Sequence, residues 1–101
     1  TMSKKKLDFC IGIFDNLTDK GIAKIKEDIQ NCEIYGIGVY TDEVVINDFY
    51  TYPVNNLEKR METAENIEGV KFVFKLDSSD SSKLKEIIKN ETMKYINDNK
   101  Q

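Results

Sequence analysis

The chain has 101 residues, of which 40% are hydrophobic and 33% charged, and its formal net charge at pH 7 is -3. A chain of this length supports one domain with a single core and has no room for a second. The balanced charge excludes the broad basic surface that nucleic-acid binding requires. No apolar run approaches the roughly 20 residues of a membrane span, so we expect neither a nucleic-acid nor a membrane partner.

The N-terminal segment combines a basic tail with an apolar strand. Three consecutive lysines end at Lys6, and we expect residues 1–6 to form a flexible, solubilising tail of the single domain that spans residues 1–101. Leu7–Phe14 is almost continuously apolar, which predicts a strand that is buried on both faces. We expect this strand to be central in a parallel sheet.

A helix and a second strand follow. Thr18 or Asp19 can cap the helix, which we expect to end near Asn31. The apolar residues that repeat along it at helical spacing are Ile22, Ile25 and Ile29. Ile34–Tyr40 is the second strand, and its two glycines, Gly36 and Gly38, point to one face. Glycines in a strand usually admit a close neighbour, so we expect a tightly packed helix or the edge of a nucleotide there.

The next segment, Val44–Pro53, mixes β-branched and aromatic residues with Asn47 and Asp48, which predicts an irregular loop or a short extra strand. Its aromatic residues Phe49, Tyr50 and Tyr52 could pack in the core or against a partner.

The remaining elements complete an alternating pattern. Asn55 or Asn56 can cap a helix that runs to about Asn66, and Val70–Leu76 is the third strand. The last helix is marked by spaced apolar residues: Leu84, Ile87, Ile88 and Tyr95. Strands that alternate with helices predict right-handed crossovers and a parallel sheet covered on both faces.

The chain has two cysteines, Cys10 and Cys32, which lie far apart in the sequence and form no Cys-x-x-Cys motif. We expect both to be buried free thiols, which fits a reducing, cytoplasmic location.

Three segments carry a family resemblance. Phe14-Asp15 lies at the corner between strand and helix, Tyr40–Glu43 closes the second strand, and Leu57–Arg60 has a glutamate two residues before its arginine. Together these segments resemble the glycerol-3-phosphate and choline-phosphate cytidylyltransferases of the nucleotidyltransferase superfamily. The resemblance implies an α/β fold, a truncated Rossmann-like three-layer α/β/α sandwich with a short parallel sheet. It also implies a ligand site at the carboxyl ends of the first two strands.

The resemblance further implies a set of nucleotide-binding residues: Phe14, Asp15, Gly21, Thr41, Asp42 and Arg60. The implied ligand is a cytidine nucleotide, with Mg²⁺ entering together with CTP and no metal site built by the protein alone. Asp15 could instead hydrogen-bond the start of the helix and hold the corner, and Arg60 could extend into solvent.

The residues of the catalytic motif differ from the family pattern. Family members have His-x-Gly-His after the Phe-Asp pair, whereas this chain has Thr18, Asp19, Lys20 and Gly21 there and contains no histidine. A threonine hydroxyl can donate to a phosphate oxygen but cannot carry the positive charge of an imidazolium. Thr18 and Lys20 are therefore the remaining catalytic candidates. The family's hydroxyl-rich Arg-Thr-x-Gly-Ile-Ser-Thr-Thr motif, which binds phosphate, does not follow the last helix here. The run Ser78–Ser82 could take over that role at the start of a helix, or it could form a solvated capping loop.

Three functions stay open on this basis. The first is a catalytically impaired domain, a pseudoenzyme, that binds a nucleotide or a protein partner. The second is an active nucleotidyltransferase with a rearranged site, which transfers CMP from CTP to a phosphorylated alcohol. The third is a structural protein that acts by dimerising. A homodimer is compatible with all three.

Overall fold

The computed structural model describes residues 4–100. Seven elements follow one another in the order β1 (Lys5–Gly12), α1 (Asp19–Gln30), β2 (Cys32–Tyr40), α2 (Asp42–Phe49), α3 (Leu57–Glu65), β3 (Phe72–Leu76) and α4 (Ser81–Asp98). The three strands form one parallel sheet. Its two faces are covered by α1 and α3 on one side and by α2 and α4 on the other. The predicted three-layer, Rossmann-like α/β fold is therefore confirmed.

The order of the strands differs from the expected one. The sheet runs β1-β2-β3, so β2 is central and β1 lies at an edge. Both crossovers move in the same direction across the sheet, and this leaves β1 with one strand neighbour among the described residues. The expected burial of both faces was also wrong, because Phe9 and Ile11 are 42% and 36% exposed. β1 also begins at Lys5, so part of the expected tail is strand, while residues 1–3 lie outside the described part of the chain.

The glycines of β2 make room for phenylalanine rings. In the parallel register Gly36 is opposite Phe72 and Gly38 is opposite Phe74. A Cβ atom on Gly36 would overlap the Phe72 ring, and one on Gly38 would lie 2.8 Å from Cε2 of Phe74. The expected neighbour, a helix or a nucleotide, was therefore wrong. The rings lie between the sheet and α4, where Phe72 stacks on Tyr95 with ring centroids 4.9 Å apart.

The expected loop after β2 begins as a helix, α2. Thr41 is its N-cap, with Oγ1 accepting a hydrogen bond from the Val44 amide at 3.3 Å. Val44 and Val45 are buried against the sheet. Helix propensity disfavours valine by less than about 1 kcal/mol, and the cap and this burial outweigh that. Tyr50 ends the helix in a left-handed conformation with φ 57°.

The two faces of the sheet have separate cores. On one face Tyr35, Ile37 and Val39 of β2 pack against α1 and α3. On the other face Phe74 and Leu76 of β3 pack against α2 and α4. Within residues 4–100, no helix combines the length and the apolar character needed to cross a membrane.

Candidate functional site at the β1–α1 corner

The corner between β1 and α1 has a strained backbone at Phe14. Its φ is +59°, in the left-handed region, which costs a non-glycine residue about 1–2 kcal/mol. The ring turns back over the preceding strand, because a Cβ atom on Gly12 would lie 3.2 Å from Cε2 of Phe14. Backbone strain of this kind is concentrated at ligand-binding and active sites, which makes the corner a candidate site.

The carboxylate of Asp15 fastens this corner to the segment that precedes α3. It accepts hydrogen bonds from the amide of Val54 at 2.6 Å, from the amide of Asn55 at 2.9 Å and from Nδ2 of Asn55 at 3.1 Å. The bond from the Val54 amide is the largest of the causes that lower the pKa of Asp15. Asp15 therefore holds the corner, as one of the two expectations had it, but by binding the chain before α3 rather than the start of α1.

Arg60 is completely buried and binds four different parts of the rim. Its Nε donates to the carbonyl of Asn55 at 2.9 Å, and its Nη1 donates to the carbonyls of Ile13 and Tyr40, both at 2.8 Å. Its Nη2 forms an ion pair with Asp42 at 2.5 Å. Arg60 thus joins the ends of β1 and β2 to the starts of α2 and α3. The expected extension into solvent was wrong, because its side chain is 0% exposed.

The hydroxyls of Thr18 and Thr41 both cap helices. Oγ1 of Thr18 accepts a hydrogen bond from the amide of Gly21 at 3.1 Å at the start of α1. Oγ1 of Thr41 accepts the equivalent hydrogen bond from the amide of Val44 at the start of α2. Each hydroxyl keeps its own proton for donation to another group. Lys20 lies in the first turn of α1, and its side chain is exposed.

A cavity of about 420 Å³ opens beside the corner. Phe14, Asp15 and Gly21, three of the expected nucleotide-binding residues, line it. The lining does not include Thr18, Lys20, Thr41, Asp42 or Arg60, so the structure brings only part of the expected set to the cavity. The volume lies within the range of about 300–1,000 Å³ that is typical of small-molecule sites.

The opposite wall of the cavity was not anticipated. It consists of Val45 from α2 and of the strap Thr51–Pro53 that follows this helix. These residues were expected in an irregular loop or extra strand, where no position relative to the corner could be assigned. The signal that could have identified the helix is Thr41 followed by two acidic residues, a typical N-terminus.

The charge around the cavity is not basic. Within the described part of the chain, its lining contains neither lysine nor arginine, and Asp15 is its one acidic residue. Residues 4–100 also contain no cluster of three or more His, Cys, Asp or Glu side chains that could hold a metal ion. The lining of the cavity therefore offers no cationic side chain to a ligand.

The fold and this corner define the chain as a small Rossmann-like α/β domain. Neither a protein-family model nor a curated protein matches the sequence. Among solved structures, the chain is similar to the lipopolysaccharide core biosynthesis protein from Thermoplasma volcanium GSS1. The TM-score is 0.69 at 19% sequence identity, over 84% of this chain and 66% of that protein. The likeness concerns the fold alone, and this chain spans less than two thirds of the length of that neighbour.

Proposed function

We propose that the chain is a nucleotidyltransferase-like domain that binds a nucleotide at the β1–α1 corner and has lost efficient catalysis. The observation that carries the proposal is the cavity of about 420 Å³ at the carboxyl end of β1, beside the N-terminus of α1. Ligands of open α/β sheets bind at this end of the strands. The fold of the lipopolysaccharide core biosynthesis protein and the resemblance to cytidylyltransferases support the same assignment.

The parts of the site suggest how a nucleotide would lie. The ring of Phe14 and the side chain of Tyr52 offer apolar surface to a base. The N-terminus of α1 carries backbone amides and a partial positive charge that favour phosphate, and Lys20 adds a full charge there. Asp19 in the same turn opposes a phosphate, so Mg²⁺ bound to the nucleotide would be needed to offset its charge.

Loss of catalysis follows from the groups that are missing or already bound. The sequence contains no histidine. Removing one donor to a developing negative charge typically costs about 100- to 1,000-fold in rate, and two imidazoles are replaced here. Arg60 cannot compensate, since four bonds hold it beneath the rim.

The test is a titration of the protein with CTP, CDP, CMP and ATP, each with magnesium, followed by heat uptake and melting temperature. Selective stabilisation by cytidine nucleotides is the expected result. Lys20→Ala should weaken CTP binding more than CMP binding. Lys83→Ala is the matched control, because Lys83 also lies in the first turn of a helix, α4, and this helix contributes no residue to the lining of the cavity. Absence of binding by every nucleotide at millimolar concentration would refute the proposal.

A second function, active CMP transfer from CTP to a phosphorylated alcohol, is favoured by the exposed Lys20 in the first turn of α1, the helix that Thr18 caps. Pyrophosphate release in the presence of phospho-alcohol acceptors, abolished in Lys20→Ala, would support it.

A third function, as a structural protein, is favoured by the exposure of Tyr50, Tyr52 and Val54, which are 80–89% accessible. We also propose a reducing, cytoplasmic location, supported by the free thiols of Cys10 and Cys32.

A further inference from the structure

The open edge of β1 carries apolar side chains that the rest of the described chain does not cover. Phe9 and Ile11 are exposed on the face of the sheet that also carries α4. A groove of about 310 Å³ lies between this strand and the helix, and Leu7, Phe9, Ile88 and Met93 form its apolar walls. Soluble proteins usually blunt an edge strand of this kind or cover it.

We propose that β1 pairs with β1 of a second copy in antiparallel orientation, so that two sheets join into one of six strands. A two-fold axis perpendicular to the sheet generates this arrangement. Such an axis keeps both copies of α4 on the same face. The exposed phenylalanines and the two grooves then meet between the two helices. This inference is independent of the proposed nucleotide binding.

The pattern of β1 favours a copy of itself as the partner. With Phe9 on the two-fold axis, Phe9 lies opposite Phe9 of the second copy and Leu7 lies opposite Ile11, so the apolar positions match. The same register places Asp8 opposite Cys10, whereas a register centred on Asp8 would bring two carboxylates together. Like charges directly opposite each other destabilise a strand pair, so charge also selects the first register.

The other edge of the sheet lacks these properties. β3 has five residues, compared with eight in β1. Within the described chain, no large apolar side chain of β3 reaches the exposure of Phe9 or Ile11. A pairing through β1 therefore leaves a closed dimer rather than a growing sheet.

The proposed interface has to extend beyond the strand itself. A stable interface removes about 800 Å² from each partner, roughly a ninth of the 7136 Å² exposed by this chain. The strand edge alone is too narrow for that. Met93, which is 50% exposed on α4 and lines the groove, adds apolar surface beside it. Ile96, which is 39% exposed, follows about one turn later on the same helix.

The side chain of Asp8 competes with the proposed strand pairing for a backbone amide. Its Oδ1 accepts a hydrogen bond from the amide of Phe9 at 2.9 Å, and this amide would have to bind the carbonyl of the second copy instead. Asp8→Ala should therefore strengthen the dimer several-fold.

The experiment is sedimentation velocity of the full chain from micromolar to millimolar concentration. We expect a concentration-dependent dimer, and Phe9→Lys should raise its dissociation constant at least about tenfold through charge repulsion and lost apolar contact. Met93→Lys should act in the same direction. Val54→Lys is the matched control, because the side chain of Val54 is also apolar and exposed but does not line the groove between β1 and α4. Melting curves check that each variant is folded. If Phe9→Lys is unfolded, the dissociation constant of Met93→Lys decides the result.

A monomer over the whole concentration range would overturn the proposal. So would a dimer that Val54→Lys dissociates and Phe9→Lys leaves intact, since the exposed segment around Val54 would then be the interface. Amide hydrogen exchange gives an independent readout. The Phe9 amide should gain protection as the dimer forms, and unchanged exchange of this amide in a proven dimer would also overturn the assignment.

Discussion

Nη2 of Arg60 lies 2.5 Å from Oδ1 of Asp42, although the two residues are 18 positions apart in the sequence. Arg60 is fully buried, whereas the side chain of Asp42 is 41% exposed. The ion pair therefore reaches from the core to the surface at the rim of the candidate site. Three backbone carbonyls complete the surroundings of the guanidinium, which makes Arg60 a structural link between two strands and two helices.

Arg60→Ala should lower the free energy of unfolding by about 2–4 kcal/mol, because several buried carbonyls lose their donor at once. Urea unfolding followed by circular dichroism measures this loss. Lys59→Ala is the control from the next position on α3, where the salt bridge to Glu62 is exposed. We expect that change to stay within about 0.5 kcal/mol. Equal stability of the two variants would contradict the structural role of Arg60.

Gly36→Ala should destabilise the protein by about 1–3 kcal/mol, since the new methyl group would overlap the Phe72 ring and force it to move. Thermal unfolding measures the effect, and the double variant Gly36→Ala with Phe72→Leu should recover part of the loss. Gly21→Ala is a useful contrast. Its new methyl group would meet the flexible end of Leu17 at 3.3 Å, and alanine favours the helix. We expect little change or a gain in stability there.

Asp15 should make the stability of the protein depend on acid pH. Its hydrogen bonds lower the pKa of the folded state below the ordinary value of 3.8. A lowered folded-state pKa stabilises the protein above the unfolded-state pKa, and this stabilisation is lost as the pH falls through the folded-state value. Asp15→Asn should therefore be less stable than the wild type at pH 7, and the difference should shrink below about pH 4.

The measurement for Asp15 is urea unfolding of both proteins at a series of pH values. Glu65→Gln, which changes an exposed carboxylate on α3, provides the background. A difference between wild type and Asp15→Asn that stays constant from pH 7 to acid would show that ionised Asp15 does not stabilise the corner.

Thr41→Ala should cost about 1 kcal/mol of stability by removing the N-cap of α2, whereas Thr41→Ser keeps the accepting oxygen and should cost much less. The same change should weaken ligand binding at the corner, because α2 places Val45 in the wall of the cavity. Unfolding and nucleotide titrations of the two variants check both statements. Equal stability of the alanine and serine variants would exclude a capping role.

Much of the fold could be predicted from local patterns. Thr18 and Asn56 were identified among the candidate caps, and they cap α1 and α3 as local hydrogen bonds dictate. The alternation of strands and helices was enough to predict a parallel sheet covered on both faces. The segment after β2 was harder, because valine and phenylalanine favour strands on their own and form a helix here through burial against the sheet.

The site was predictable only in part. The corner at Phe14 and Asp15 could be located from the sequence, and both residues line the cavity. The partners of these residues could not be located, since Asp15 binds amides about 40 positions away and Arg60 binds a carbonyl 47 positions away. Hydrogen bonds between residues so far apart in the sequence depend on how the connecting helices pack on the sheet. A motif does not contain that information.

The sequence by itself determined every element except α2, the caps of α1 and α3, the corner that marks the candidate site and the absence of histidine from it. These features depend on neighbouring residues and on composition, which a linear pattern records. The tertiary structure alone decided that β1 is an edge strand, that the glycines of β2 receive phenylalanine rings, and that Arg60 is bound inside rather than free for a ligand. These features depend on which distant segments pack together, and that is decided by the burial and hydrogen bonding of the whole chain.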